Sequence, residues 1–174
     1  NSSRTVSAQF SDANPPELTM SSLPDGSVTG NQALNVSGTV KDAGGMQSLV
    51  INGSVLTVQG DNTFSHLVTL SSGRNTITTV ATDLAGNRTT DSRTVTLDQA
   101  APGLTITAPA DNSTTANSIV TVTGTVSETS TISIIVNSGT PQVASMSGTT
   151  FAATVILRAG LNTITATALD NAGN

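Results

Sequence analysis

Short runs of alternating apolar and polar residues recur along the chain, broken by Gly, Asn, Asp and Pro. "ALNVSGTV" at 33–40, "MQSLVI" at 46–51, "TFSHLVTL" at 63–70 and "TITTVAT" at 76–82 show the pattern. Period two is the signature of a strand with one buried face. The alternation predicts strands near Glu17 to Ser21, Ala33 to Val40, Met46 to Ile51, Val55 to Gln59, Thr63 to Leu70, Thr76 to Thr82 and Arg93 to Leu97. Between them, Asn52-Gly53 suits a tight hairpin turn, and "SSGRN" and "DLAGN" supply further turns. No long segment carries a helical period. Seven short strands in under a hundred residues predict a two-sheet sandwich. Ile77, Thr79 and Ala81 fall on one face, and Phe64 is a candidate core anchor.

The pattern then repeats. "PELTMSSLPDGS" from Pro16 is answered by "PGLTITAPADNS" from Pro102, and the stretch from Thr63 to Asn87 by the stretch from Thr150 to Asn174. Gly38 and Gly124 are 86 residues apart, Phe64 and Phe151 87 apart. One residue was gained in between, near "NSGTPQ". Two copies of one sandwich are therefore expected, with Phe151 the counterpart of Phe64.

Composition narrows the class. Thr, Ser, Asn, Val, Ala and Gly dominate, charged residues make up 10%, and Cys, Trp and Tyr are absent. Thr and Val favour strands, in keeping with an all-β chain. The net charge is −5 and Lys41 is the only lysine, so a run of phosphates could not be neutralised and nucleic-acid binding is excluded. No apolar run approaches the ~20 residues of a helical membrane span. With neither an initiator Met nor a leader-like start, the chain reads as a mature or excised form. Disulfides are excluded, and a Lys-dependent cross-link cannot be common to both copies, because the second has no lysine. The Thr- and Ser-rich, Lys-poor composition points to the extracellular space or the cell surface.

Gly73, Asn75, Ile77, Ala81, Asp83, Ala85, Gly86 and Asn87 recur as Gly160, Asn162, Ile164, Ala168, Asp170, Ala172, Gly173 and Asn174. This Gly-x-Asn-x-Ile, Ala-x-Asp, Ala-Gly-Asn pattern resembles the end of bacterial immunoglobulin-like repeats, over nearly the whole chain. The resemblance implies two tandem immunoglobulin-like β-sandwiches of the kind found in surface proteins, adhesins and accessory regions of secreted enzymes. The expected division is a last-strand-like segment at 1–13, a first module at 14–99 and a second at 100–174 that lacks its last strand. The resemblance also implies calcium near module junctions, with Asp83, Asp98, Asp111 and Asp170 as candidate ligands. The competing reading of Asp83 and Asp170 is structural: Asp at the start of such a turn accepts from local backbone N–H groups.

Ser3-Arg4-Thr5-Val6 repeats Ser92-Arg93-Thr94-Val95 residue for residue. The opening segment thus looks like a last strand without its module, with Val6, Ala8 and Phe10 on one face. One explanation is a window cut from a longer array. The other is strand exchange, in which this segment completes the second module of a neighbouring copy, as in donor-strand fibres. The partner is then the chain itself; otherwise it is a neighbouring immunoglobulin-like module.

No catalytic constellation emerges. His66 is the only histidine and its counterpart is Ala153; no Gly-x-Ser-x-Gly elbow is present. Sugar-binding sandwiches usually present Trp or Tyr platforms, and the chain has neither. The expected function is a non-enzymatic extracellular filament or stalk segment, with an adhesin or glycan-binding accessory module as the alternative.

Overall fold

Strict alternation becomes strand in both halves of the chain. The computed structural model describes residues 12–21 and 23–174, and their regular elements are strands alone. Contacts divide the chain into two compact units between Leu97 and Asp98, called modules one and two below. Val6, Ala8 and Phe10 lie outside the described residues.

Module one comprises β1 (Glu17–Met20), β2 (Ser27–Thr29), β3 (Ala33–Lys41), β4 (Met46–Ile51), β5 (Ser54–Leu56), β6 (Thr63–Thr69), β7 (Gly73–Asp83) and β8 (Arg88–Leu97). One sheet has the order β1-β3-β6 and the other β2-β8-β7-β4-β5. Their inner faces bury Val36, Val40, Leu49, Ile51, Phe64 and Ile77. Each such side chain stabilises the module by roughly 1.5–3 kcal/mol. The alternation of β7 puts Ile77, Thr79 and Ala81 on the buried face.

Four elements differ from the sequence expectation. β2 was not foreseen: at three residues it is too short to show a period, and it exists because β8 pairs with it in parallel. β7 and β8 are longer than expected, paired from Gly73↔Leu97 to Thr82↔Arg88. β5 stops at Leu56, and Gln59 already donates its N–H to the Thr63 carbonyl in the next turn.

Module two comprises β9 (Leu104–Ala108), β10 (Ile119–Val126), β11 (Ser130–Val136), β12 (Gln142–Val143), β13 (Ser145–Ser147), β14 (Thr150–Ile156) and β15 (Ile164–Asp170). The sheets are ordered β13-β14-β10-β9 and β12-β11-β15. Val122, Ile132, Ile134, Phe151 and Val155 form the core. Among the described residues β15 pairs with β11 alone, whereas its counterpart β7 lies between β4 and β8. The fold is thus all-β, two immunoglobulin-like sandwiches in tandem, the second without its last strand.

Candidate functional site

The turn that ends β7 is built by its sequence, Asp83-Leu84-Ala85-Gly86-Asn87. Gly86 takes a φ of 92°, in the left-handed region open to glycine. Asp83 Oδ1 accepts the Asn87 N–H at 2.8 Å, and Asp83 Oδ2 accepts from Asn87 Nδ2 at 2.7 Å. The same Nδ2 donates to the Asp12 carbonyl at 3.0 Å, tying the turn to the segment that enters the module. Module two repeats the arrangement. Asp170 Oδ1 accepts the N–H groups of Ala172 and Asn174, both at 2.8 Å, and Asn174 Nδ2 reaches the Asp98 carbonyl at 3.0 Å.

These ties bring carboxylates together. Asp12, Asp42 and Asp83 each place an oxygen within 4.8 Å of the other two, and so do Asp98, Glu128 and Asp170. The trios correspond one to one: Asp98 lies 86 residues after Asp12, Glu128 86 after Asp42, and Asp170 87 after Asp83. Each draws on the entering segment, the loop after a central strand (β3 or β10) and the turn after β7 or the end of β15. Asp42 is oriented by the Gly44 N–H, which its Oδ1 accepts at 2.8 Å.

Asp83 and Asp170 are buried. Burial pushes both carboxyls up, but hydrogen bonds outweigh it and hold both below the ordinary carboxylate range: from Asn87, Gly86 and Ala85 to Asp83, and from Asn174, Ala172 and Gly173 to Asp170. They are anions at neutral pH. A carboxyl lowered in the folded state adds stability that is full above its unfolded value, about 4, and is lost as pH falls through the folded value. Both modules are therefore expected to keep this contribution down to about pH 4 and lose it below. An acid titration followed by circular dichroism checks this, and Asp83→Asn should flatten the acid loss of module one.

Three anions held this close repel one another unless a cation joins them. The ion pairs among the described residues, Lys41–Glu17 and Arg93–Asp91, involve no member of either trio. The donor set is oxygen only, which suits a hard cation. Calcium binds oxygens at 2.3–2.6 Å, so two of its ligand oxygens can lie up to about 5 Å apart, a span that contains both trios. In module one, Asp12 Oδ2 and Asp42 Oδ2 take no hydrogen bond among the described residues and remain open for a metal.

Of the four predicted ligands, the structure places Asp83 in one trio and Asp98 and Asp170 in the other. Asp111 joins neither; it is exposed and accepts the N–H of its neighbour Asn112 at 3.0 Å. Asp12, Asp42 and Glu128 were missed. Each trio is scattered over more than seventy residues, and the signal that could have found it is an acid at matching positions of both repeats. His66 is half-buried on β6, opposite Val36. A cavity of about 430 Å³ in module two, lined in part by Ile134, Val136, Gln142 and Arg158, has no aromatic wall.

Among known proteins, the family described as "Glucodextranase, domain B" matches residues 16–99 and again 102–174. Bacillopeptidase F of Bacillus subtilis (strain 168) is 42% identical over 79 residues, 45% of this chain and 5% of that protein. The chain thus spans a small fraction of that relative. The fibronectin(III)-like modules of Clostridium thermocellum CbhA share the fold, with a TM-score of 0.58 at 18% identity over 90% of this chain and 87% of theirs. The D00-D0 domain of intimin aligns more loosely, with a TM-score of 0.40 at 18% identity over 88% of this chain and 96% of its own.

Proposed function

The chain belongs, in both its modules, to the family of glucodextranase domain B, and from that premise we propose that it is a non-catalytic stalk segment of a secreted or cell-surface protein. Its modules act in series, and each binds a calcium ion where the chain enters it. The observation that carries this reading is the acidic trio found at equivalent places in both modules. Asp12 and Asp98 precede the first strand of their modules, while Asp42, Asp83, Glu128 and Asp170 belong to the body. A cation shared by all three carboxylates would fix the entering chain to the sandwich and relieve the repulsion among them. That suits an array of modules held in series under tension. The finer form of the reading is head-to-tail assembly with further copies or neighbouring immunoglobulin-like modules, in which an incoming strand completes module two.

The family description favours one further reading, an accessory module that binds glycans. Against it, Trp and Tyr are absent, and Phe64 and Phe151 are buried in the cores. The same kind of module also occurs in a protein named as a peptidase, which speaks for a shared scaffold over a recogniser of one substrate. Retardation of the chain in a gel containing soluble glucan would favour the glycan reading.

Thermal melting in calcium and in chelator tests the proposal. Saturation at a hundred times the dissociation constant adds about 2.7 kcal/mol. For modules of this size chelation should then lower the melting temperature by roughly 10 °C or more. Identical melting in calcium and chelator would contradict it.

A further inference from the structure

The two modules differ at one hairpin. In module one β4 turns back at Asn52-Gly53, and β5 pairs with it at once, from Ile51↔Ser54 to Leu49↔Leu56. In module two Asn137 stands where Asn52 does. Both take a positive φ, and the Oδ1 of each accepts a backbone N–H, from Thr78 at 2.8 Å and from Thr163 at 2.9 Å. Yet β12 meets β11 only at Ile134↔Gln142 and Ser133↔Val143. Residues 135–141 between them form an open loop, with an inner turn in which the Gly139 N–H donates to the Val136 carbonyl at 3.0 Å.

This loop borders the cleft of about 430 Å³. Buried Ile134 and Val155 line it, together with half-buried Val136 and exposed Ile156. Ile156 pairs with Ile119, which is exposed too, so an apolar shelf continues from the cleft onto the sheet. Ser138, Thr140 and Gln142 also line the cleft, and among the described residues their side chains make no hydrogen bond. Arg158 completes the lining. It is the only Lys, Arg or His in residues 98–174. Among the described residues its guanidinium has no partner. Its counterpart in module one is Ser71: the backbone N–H of each donates at 2.9 Å to the Asn side chain of the same turn, Asn75 or Asn162. Ile156 likewise answers to Thr69. The cleft and its cation thus belong to module two and not to the repeat.

We propose that this cleft binds a carboxylate-bearing sugar, a uronate unit of an acidic glycan, and that Arg158 takes its carboxylate. The volume lies within the range of small-molecule sites, which combine apolar walls with a few polar groups. A guanidinium grips a carboxylate through two parallel N–H···O bonds. Sugar hydroxyls both donate and accept, and so do the hydroxyls of Ser138 and Thr140 and the amide of Gln142. The C–H face of the ring suits Val136 and Ile156. Recognition then rests on charge and an aliphatic wall, which needs no Trp or Tyr, and a neutral glucan lacks the group that Arg158 would hold. A peptide carboxylate is the poorer fit. Extended peptides bind by adding to a strand edge, and this cleft is bounded by a hairpin loop and strand ends. The inference goes beyond the stalk reading and does not depend on calcium.

Titration of the whole chain with trigalacturonate, followed by amide chemical shifts, tests this. Chelator is kept present, so that no metal can bridge the sugar to the acidic trios. Shifts are expected at Val136, Thr140, Gln142 and Ile156, and they should saturate at millimolar sugar. Arg158→Gln should weaken binding roughly 10- to 100-fold, the effect of losing hydrogen bonds to a charged group. Arg158 is exposed, so module two should melt unchanged in that variant. The methyl ester of the same sugar should lose affinity to a similar degree. Arg74→Gln, which removes an exposed arginine from module one, should change nothing. No shift at millimolar sugar, shifts away from the cleft, or equal binding by the ester or by Arg158→Gln would overturn the proposal. Tighter binding of a tripeptide with a free C-terminal carboxylate would overturn the assignment to a sugar. The presence or absence of calcium sites bears on none of these outcomes.

Discussion

Gly124→Ala is expected to unfold module two while module one stays folded. Gly124 lies in β10, paired with Phe151 of β14. A Cβ at this position would overlap the Phe151 ring and the Thr105 carbonyl oxygen. Neither can give way easily: the ring is 2% exposed, and the oxygen belongs to the backbone of the neighbouring strand. Overpacking costs about 1–3 kcal/mol and more when backbone is the obstacle, so a loss of about 3 kcal/mol or more is expected. Gly38 holds the same place against Phe64 and Thr19 in module one, with more room at the ring, where the nearest atoms would be 2.8 and 3.0 Å away. Gly38→Ala should therefore do less. Calorimetry should show the transition of module two shifted or lost in Gly124→Ala and that of module one retained. Near-native melting of both would mean that the ring and the strand can move apart.

Val95→Asp is expected to unfold module one and spare module two. Val95 is 1% exposed and is paired on one side with Asn75 of β7 and on the other with Ser27 of β2. The substitution forfeits roughly 1.5–3 kcal/mol of apolar burial and puts an unpaired charge in the core. The combined loss should be about 4 kcal/mol or more, a large share of a small domain's stability. Hydrogen exchange should show module one losing protection along β7 and β8 together. A variant that keeps protection in β7 would mean that the last strand is dispensable.

Much of the fold is written locally and so could be read from the chain. Period-two alternation marks β3, β4, β6 and β7, and Asn52-Gly53 marks a hairpin turn, in which both residues take positive φ. The repeat doubles each signal, so that Phe64 and Phe151 identify each other as core anchors. β2 was not legible because its stability comes from β8, nearly seventy residues away. The site was half legible for the same reason. Asp83 and Asp170 stand out because they open turns with their own sequence signature. Asp12, Asp42 and Glu128 lie outside that signature and acquire meaning only when the sandwich brings three loops together. Asp111 is named as a ligand because the family resemblance implies calcium near a module junction; the structure places it in neither trio, and its counterpart Asp25 holds the backbone of Thr94.

Titration calorimetry with calcium tests the central claim most directly, because it counts sites. Two sites per chain are expected. Asp42→Asn should leave one, Glu128→Gln should leave the other, and the double variant should bind none. Both positions are loop residues, and Asn at position 42 keeps an oxygen for the Gly44 N–H, so the modules should keep their fold. Absence of binding, or a stoichiometry untouched by these substitutions, would contradict the account.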